Sequence, residues 1–276
     1  MFLSEINIYP VKSLKGISLK ESKIERRGLE FDRRWMLVDE NNKFLTQREF
    51  PKMATLETAI SANGLQISDG QEKLIVPFEI NDEKTERVQI WQNKCAAQIY
   101  EKSVNEWFSD ILQTNCKLAI MPEKTHRKVS HFYAVQKDDH VSFADAYPFL
   151  LIGESSLEDL NSRLETPLLM NRFRPNLVVS GAQSFAEDGW KRISIGEKVF
   201  HIVKPCARCV MTTIDQSSGE KQGVEPLKTL ASFRIPKRSI KKKILFGQNL
   251  ITENAGEILC VGDKIEVLET KNPPRF

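Results

Sequence analysis

The segment Lys204-Pro205-Cys206-Ala207-Arg208-Cys209 sets two cysteines at a Cys-x-x-Cys spacing, with one cation before them and another between them. A thiolate is both a nucleophile and a soft-metal ligand, and a neighbouring cation favours it over the thiol. The residues alone leave three readings open. Half of a zinc site is one, but structural zinc takes four ligands. No second Cys-x-x-Cys or paired histidine is present, Cys95, Cys116 and Cys260 are isolated, and the four histidines show no ligand spacing. Thioredoxin-like exchange is another, but it needs its first cysteine at a helix N-terminus, and the β-branched run Val210 to Ile214 reads as a strand. The third treats both cysteines as small buried hydrophobes, which the flanking Lys204 and Arg208 argue against.

Basic residues also recur beside turns and prolines, in Pro10-Val11-Lys12-Ser13, Phe31-Asp32-Arg33-Arg34-Trp35 and Asn171-Arg172-Phe173-Arg174-Pro175-Asn176. Taken singly, each is ordinary solvated charge. Their combination is more informative than any one of them.

The elements that must position these groups are mostly strands. Alternation of apolar and polar residues marks Leu3 to Tyr9 and Ile17 to Ile24, followed by Trp35 to Val38, Lys43 to Gln47, Leu65 to Ser68, Leu74 to Val76, Val88 to Trp91 and Ala96 to Tyr100. Asn41-Asn42, Asn63-Gly64 and Asp69-Gly70 supply turn chemistry between them. Ser103 is placed to cap a helix presenting Val104, Trp107, Phe108, Ile111 and Leu112 on one face, closing the first half. The polar stretch Glu123 to Asp139 reads as a linker or mobile loop. A capping box at Ser155-Ser156-Leu157-Glu158 opens a second helix. Strands then follow at Asn176 to Ser180, Arg192 to Ile195, Lys198 to Lys204, Val210 to Ile214, Gln248 to Thr252 and Lys264 to Leu268. A short helix over Glu225 to Phe233 has Pro226 in its first turn. The fold class that results is mainly β with some α (α+β), as two joined β-barrel-like domains.

Composition sets the outer limits. With 276 residues, 41% hydrophobic and 28% charged, the chain can bury a sizeable core. No apolar run reaches the roughly 20 residues of a membrane helix, and five irregularly spaced cysteines suit a reducing compartment. A cytoplasmic protein without membrane contact is the expectation. The net charge of +3 is too small to imply nucleic acid, and Lys237 to Lys243 reads as a solvated basic run.

The three basic segments and the cysteine segment, with Phe143-Ala144-Asp145-Ala146-Tyr147-Pro148 and Phe246-Gly247-Gln248-Asn249, resemble the signatures of MOSC-superfamily proteins and occur in the same order. The resemblance covers nearly the whole chain and is closest to the amidoxime-reducing branch, the bacterial YcbX-type proteins and the mitochondrial amidoxime-reducing components. It implies a MOSC N-terminal β-barrel domain over residues 1–120 and a MOSC catalytic domain over 121–270. It also implies a molybdenum cofactor, Mo-molybdopterin, with Cys209 rather than Cys206 as the catalytic sulfur ligand of molybdenum.

The cofactor-binding positions that the resemblance carries over are Lys12, Ser13, Arg33, Asp145, Ala146, Arg174, Asn176, Ala207, Arg208, Cys209 and Asn249. Cations suit the terminal phosphate, Asp145 and Asn176 suit the pterin's amide-like edge, and Ala146 offers only backbone groups. The implied reaction is removal of oxygen from small N-hydroxylated substrates: amidoximes, hydroxylamines and N-hydroxylated bases. YcbX-type relatives append a ferredoxin-like domain with a cysteine cluster, whereas no cysteine follows Cys260 here. Nor does any G-x-G-x-x-G dinucleotide motif follow a strand. A separate electron donor is therefore expected: a ferredoxin-type protein, a flavin reductase or a cytochrome-type protein. The alternative is a molybdenum-cofactor-binding or sulfur-carrier protein acting with a partner, since MOSC domains also occur attached to cofactor sulfurases.

Overall fold

The computed structural model describes residues 1–237 and 239–276; Arg238, inside the basic run, lies outside the described residues. Strands hold 37% of the chain and helices 15%, and the sheets curl into half-barrels, so the fold is mainly β with some α as expected. The largest sheet has eight strands, in the order Ile265–Thr270, Trp190–Ile195, Lys198–Ala207, Leu245–Thr252, Phe149–Gly153, Leu177–Ser180, Phe2–Ile8 and Ile17–Leu19. Among the described pairs, Phe149–Gly153 with Leu177–Ser180 alone is parallel. The helix Glu154–Asn161 lies in its crossover, as a parallel connection requires.

The strand Phe2–Ile8 thus sits in a sheet built mostly from residues beyond 148. Its alternation changes phase, because a bulge between Leu3 and Glu5 lets both Leu3 and Ile6 turn inward. Leu3, Ile6 and Ile8 are buried against Phe149, Leu151, Leu177, Val179 and Leu250.

A four-stranded sheet orders Trp35–Val38, Lys117–Ile120, Asn93–Ile99 and Glu86–Ile90. Trp35–Val38 is buried on both faces. Trp35 and Leu37 meet Phe108 of the helix Lys102–Leu112, while Met36 and Val38 meet Val88, Ile90 and Phe143. The segment Phe31 to Trp35 is gripped from two cores, because Phe31 and Trp35 pack in the first of these and Phe31 touches the large-sheet core as well.

Several local expectations are corrected. Neither Ser103 nor Ser155 caps its helix: the caps are Glu101 and Gly153, without side-chain hydrogen bonds. The Ser155 and Ser156 hydroxyls donate instead to the Ala182 carbonyl and the Glu187 carboxylate. Lys43 to Gln47 forms bridges at Lys43 and Phe44 and then turns at Thr46, whose hydroxyl accepts from Arg48 N–H. Val210 to Ile214 is no strand but a 3-10 turn over Val210–Thr213. The Thr212 and Thr213 hydroxyls bond back to the Cys209 and Val210 carbonyls, competing with a ladder. The later helix starts at Leu227, with Pro226 as its cap.

The stretch from Glu123 to Asp139 holds no regular element, yet it is a brace. Arg127 is buried there and donates to the carbonyls of Ser142, Ala144 and Asp145, shaping the loop that carries Asp145.

Gly247 shows why the Phe246-Gly247-Gln248-Asn249 segment needs a glycine. Its φ is +80°, and an added Cβ would lie 2.7 Å from Ile152 Cγ1 and 3.0 Å from the Leu151 carbonyl oxygen. Gly247→Ala is expected to lower unfolding free energy by about 1–3 kcal/mol, from backbone strain and overpacking. Urea denaturation measures this, and unchanged stability would refute the steric account.

Candidate functional site

One cleft gathers all eleven residues put forward from the sequence, from Lys12 to Asn249. They line a cavity of about 140 Å³. The residues arrive from distant parts of the chain. Lys12 and Ser13 follow the strand Phe2–Ile8, and Arg33 precedes Trp35–Val38. Asp145 and Ala146 lie on the loop before Phe149–Gly153, and Arg174 and Asn176 precede Leu177–Ser180. Ala207, Arg208 and Cys209 lie at the end of Lys198–Ala207, and Asn249 lies on Leu245–Thr252.

The centre of the arrangement is Tyr9. Its buried ring has the Arg33 guanidinium 4.5 Å from its centroid and that of Arg174 at 4.2 Å. Its hydroxyl donates to the Pro175 carbonyl at 3.1 Å. Burial pushes this phenol up to about 12, against the pull of Arg174 and Arg33. Burial also draws Arg174 down to about 10, Tyr9 opposing and Arg33 reinforcing the shift. For Arg33, burial acts downward but Asp32 more than offsets it, so its pKa rises. The Asp32 carboxylate is fully buried, accepting from Arg33 Nη1 at 2.7 Å and from Tyr9 N–H at 2.9 Å. Asn176 Oδ1 accepts from Arg33 Nη1 at 3.1 Å and from Leu150 N–H at 3.2 Å, which ties its amide to the frame.

On the opposite wall, Lys12 Nζ meets Asp145 Oδ1 at 2.5 Å. Burial lowers the Lys12 ammonium, and Asp145 resists this. Burial acts upward on Asp145, but Lys12 prevails and holds the carboxyl well below the usual carboxylate range. The Asp145 side chain is 57% exposed, so water screens the pair and it orients more than it stabilises.

The backbone at Ser13, Arg33 and Arg174 is in the left-handed region, with φ of 71°, 50° and 55°. Such conformations cost of order 1–3 kcal/mol each and concentrate at functional sites.

The cysteines differ in their surroundings. Cys206 Sγ accepts from Arg208 Nη1 at 3.0 Å. Cys209 begins the 3-10 turn, and its sulfur accepts from Arg48 Nη2 at 3.2 Å. Among the described residues Lys204 makes no hydrogen bond to either sulfur, and its ammonium lies 4.6 Å from the Tyr133 ring centroid. The sequence reading missed Arg48, and also Arg172, although Arg172 stood inside a quoted segment; both line the cleft.

Whether the cleft suits an anionic cofactor can be tested on its own polar atoms. Among the described residues, Arg172 Nη1, Arg174 Nη2 and Arg208 Nε are buried without a hydrogen-bond partner. An unsatisfied buried donor costs about 1–3 kcal/mol, more when charged. Three such donors in one cleft, beside a sulfur, fit a group that brings both acceptor oxygens and a soft metal.

Comparison with known proteins agrees with this chemistry. Residues 1–115 match the MOSC N-terminal beta barrel domain and residues 138–266 the MOSC domain. Mitochondrial amidoxime-reducing component 1 of Mus musculus is 32% identical, covering 96% of this chain and 82% of that protein. Its Homo sapiens counterpart is 30% identical with the same coverage. Molybdenum cofactor sulfurase of Oryza sativa subsp. japonica is 33% identical over 95% of this chain, but only 35% of its own length is matched.

Asp32→Asn should cost about 3–5 kcal/mol in unfolding free energy, because it leaves the Arg33 charge buried without its hydrogen-bonded counter-charge. A urea titration checks this, and a loss below about 1 kcal/mol would mean that the Tyr9 ring suffices to hold Arg33.

Proposed function

The chain belongs to the MOSC family, whose function is bound up with the molybdenum cofactor, and from that premise we propose that it is a molybdenum-dependent oxidoreductase that removes oxygen from small N-hydroxylated compounds. Amidoximes, hydroxylamines and N-hydroxylated bases are the substrate class. The observation that carries the reading is the meeting of Cys209, in a single cleft, with three arginines that each keep one buried N–H nitrogen without a partner.

When bound, the cofactor supplies the two-electron redox chemistry by which the N–O bond is cleaved. The chain's residues do the rest. Arg174 and Arg208 hold the phosphate with the donors they leave unused. Lys12 and Arg33 add positive charge but keep their own carboxylate partners, so they set the cleft's field and shape. Ser13, Ala146 and Ala207 form close walls whose backbone groups, with Asn176 and Asn249, meet the pterin edge. Cys209 gives its sulfur to the metal, and Cys206, engaged by Arg208, serves the wall. Electrons come from a separate donor of ferredoxin, flavin-reductase or cytochrome type.

A second reading is favoured by the sulfurase match: the chain binds the cofactor or carries sulfur as a persulfide on Cys209, acting with a partner. A sulfur-transfer assay separates the two. The amidoxime-reducing relatives favour the first, since they are matched over far more of their own length.

Cys209→Ser is expected to abolish reduction of benzamidoxime by the molybdenum-loaded protein, since a hydroxyl is a harder and much less acidic donor than a thiol. Cys206→Ser should keep a measurable fraction. Turnover by Cys209→Ser at the wild-type rate would overturn the ligand assignment.

Arg174→Glu should purify with little molybdopterin. Losing one charged hydrogen bond costs about 1.5–3 kcal/mol, and reversing the charge adds repulsion to that. Pterin fluorescence after oxidation measures the content, and a full complement in the variant would contradict the phosphate placement.

A further inference from the structure

Arg48 differs from the other cations of the cleft. Lys12, Arg33 and Arg172 face the carboxylates of Asp145, Asp32 and Asp215. The Arg174 side chain donates to Gln216, and that of Arg208 to Cys206 and the Phe173 carbonyl. Among the described residues, the one hydrogen-bond partner of the Arg48 guanidinium is the Cys209 sulfur, 3.2 Å from Nη2.

Stacking, not an ion pair, sets its position. The guanidinium carbon lies 4.7 Å from the centroid of the Trp91 ring. Trp91 stands at the turn joining Glu86–Ile90 to Asn93–Ile99, with φ of 53° and its side chain nearly half exposed. It is fixed from two sides: Nε1 donates to Asp145 Oδ1 at 3.2 Å, and Phe44 makes an edge contact at 5.0 Å between centroids. A strained backbone and an exposed indole are both unfavourable unless the position does something. Here the result is a guanidinium held against one particular sulfur.

We propose that Arg48 is a positioning residue for the metal centre, whose N–H donates to the Cys209 sulfur, fixes the direction of that ligand and raises the centre's affinity for electrons. The proposal rests on the reading that Cys209 is the sulfur ligand. A thiolate pushes electron density onto its metal. A hydrogen bond and a positive charge at the sulfur withdraw some of it, which favours the reduced state, and such partners commonly tune metal centres. Trp91 acts one step further out, by holding the plane of the guanidinium.

The test is a redox titration of the molybdenum-loaded full chain, followed by electron paramagnetic resonance of the half-reduced metal, with pterin content measured alongside. Wild type is compared with Arg48→Gln, Arg48→Lys and Trp91→Ala. Arg48→Gln should keep the cofactor, move the midpoint potential to a more negative value and change the resonance signal. Arg48→Lys, retaining the charge without the planar fork, should move it less, and Trp91→Ala should move it in the same direction. A wild-type potential in Arg48→Gln overturns the proposal. So does an unmoved potential with a raised KM, which would make Arg48 a substrate contact, and so does loss of the cofactor from both Arg48 variants, which would make it an anchor. Failure of the reductase reading gives a different result: the potential moves as stated, but no N-hydroxylated compound is reduced. Wild-type protein that takes up no molybdenum would sink both.

Discussion

Two guanidinium groups, Arg33 and Arg174, pack against one buried phenol ring, and this contact is what the cleft depends on. Like charges this close repel, and burial strengthens the repulsion by removing water. The Tyr9 π-face and the buried Asp32 carboxylate offset it. The balance is incomplete by construction, because Arg174 keeps an N–H without a partner. The fold thus holds positive charge in place ahead of any ligand, which is how a protein keeps the reorganisation on binding small.

Everything around this contact serves to keep it from relaxing. Arg33 comes from the segment gripped between two hydrophobic cores, and Arg174 from the approach to a strand buried in one of them. Neither backbone can turn away without dislodging a fully buried neighbour, Trp35 in one case and Leu177 in the other. The large sheet carries Asn249 within one strand and Arg208 and Cys209 just past the end of its neighbour, and the four-stranded sheet brings Trp91 and, through the turn at Thr46, Arg48. Regular structure supplies stiffness, and the short irregular segments between strands supply direction.

What the sequence disclosed and what it hid follow from this division. Lys12, Arg33, Asp145, Arg174 and Cys209 were legible because the short motifs that hold them resemble the family's signatures and occur in the same order. Arg48 was not, since Thr46-Gln47-Arg48 has no signature and its meaning comes only from packing against a hairpin tip some forty residues on. Lys204 was misjudged because a bulge between Ile202 and Lys204 resets the strand's phase and turns the ammonium to Tyr133. The run after Cys209 was misread because β-branched residues suggest a strand, whereas two threonine hydroxyls close a turn onto their own backbone. The cap expected at Ser155 failed for a similar reason: its hydroxyl and that of Ser156 are claimed by distant partners.

The position of Phe2–Ile8 in the large sheet has a consequence for how the molecule is made. Ser4 reaches the Val178 carbonyl across 174 residues of chain, so on the ribosome this strand emerges long before its partner exists. At roughly 5–20 residues per second, the delay is on the order of ten seconds or more. Through that interval an apolar strand with Leu3, Ile6 and Ile8 has only its short neighbour Ile17–Leu19 to pair with, and its other edge stays bare. The two halves cannot mature one after the other, because a strand of the N-terminal half belongs to a sheet whose other strands come mostly from residues beyond 148. Cells overproducing this chain should therefore place their heaviest demand on chaperones at the nascent stage, well before any cofactor is at issue.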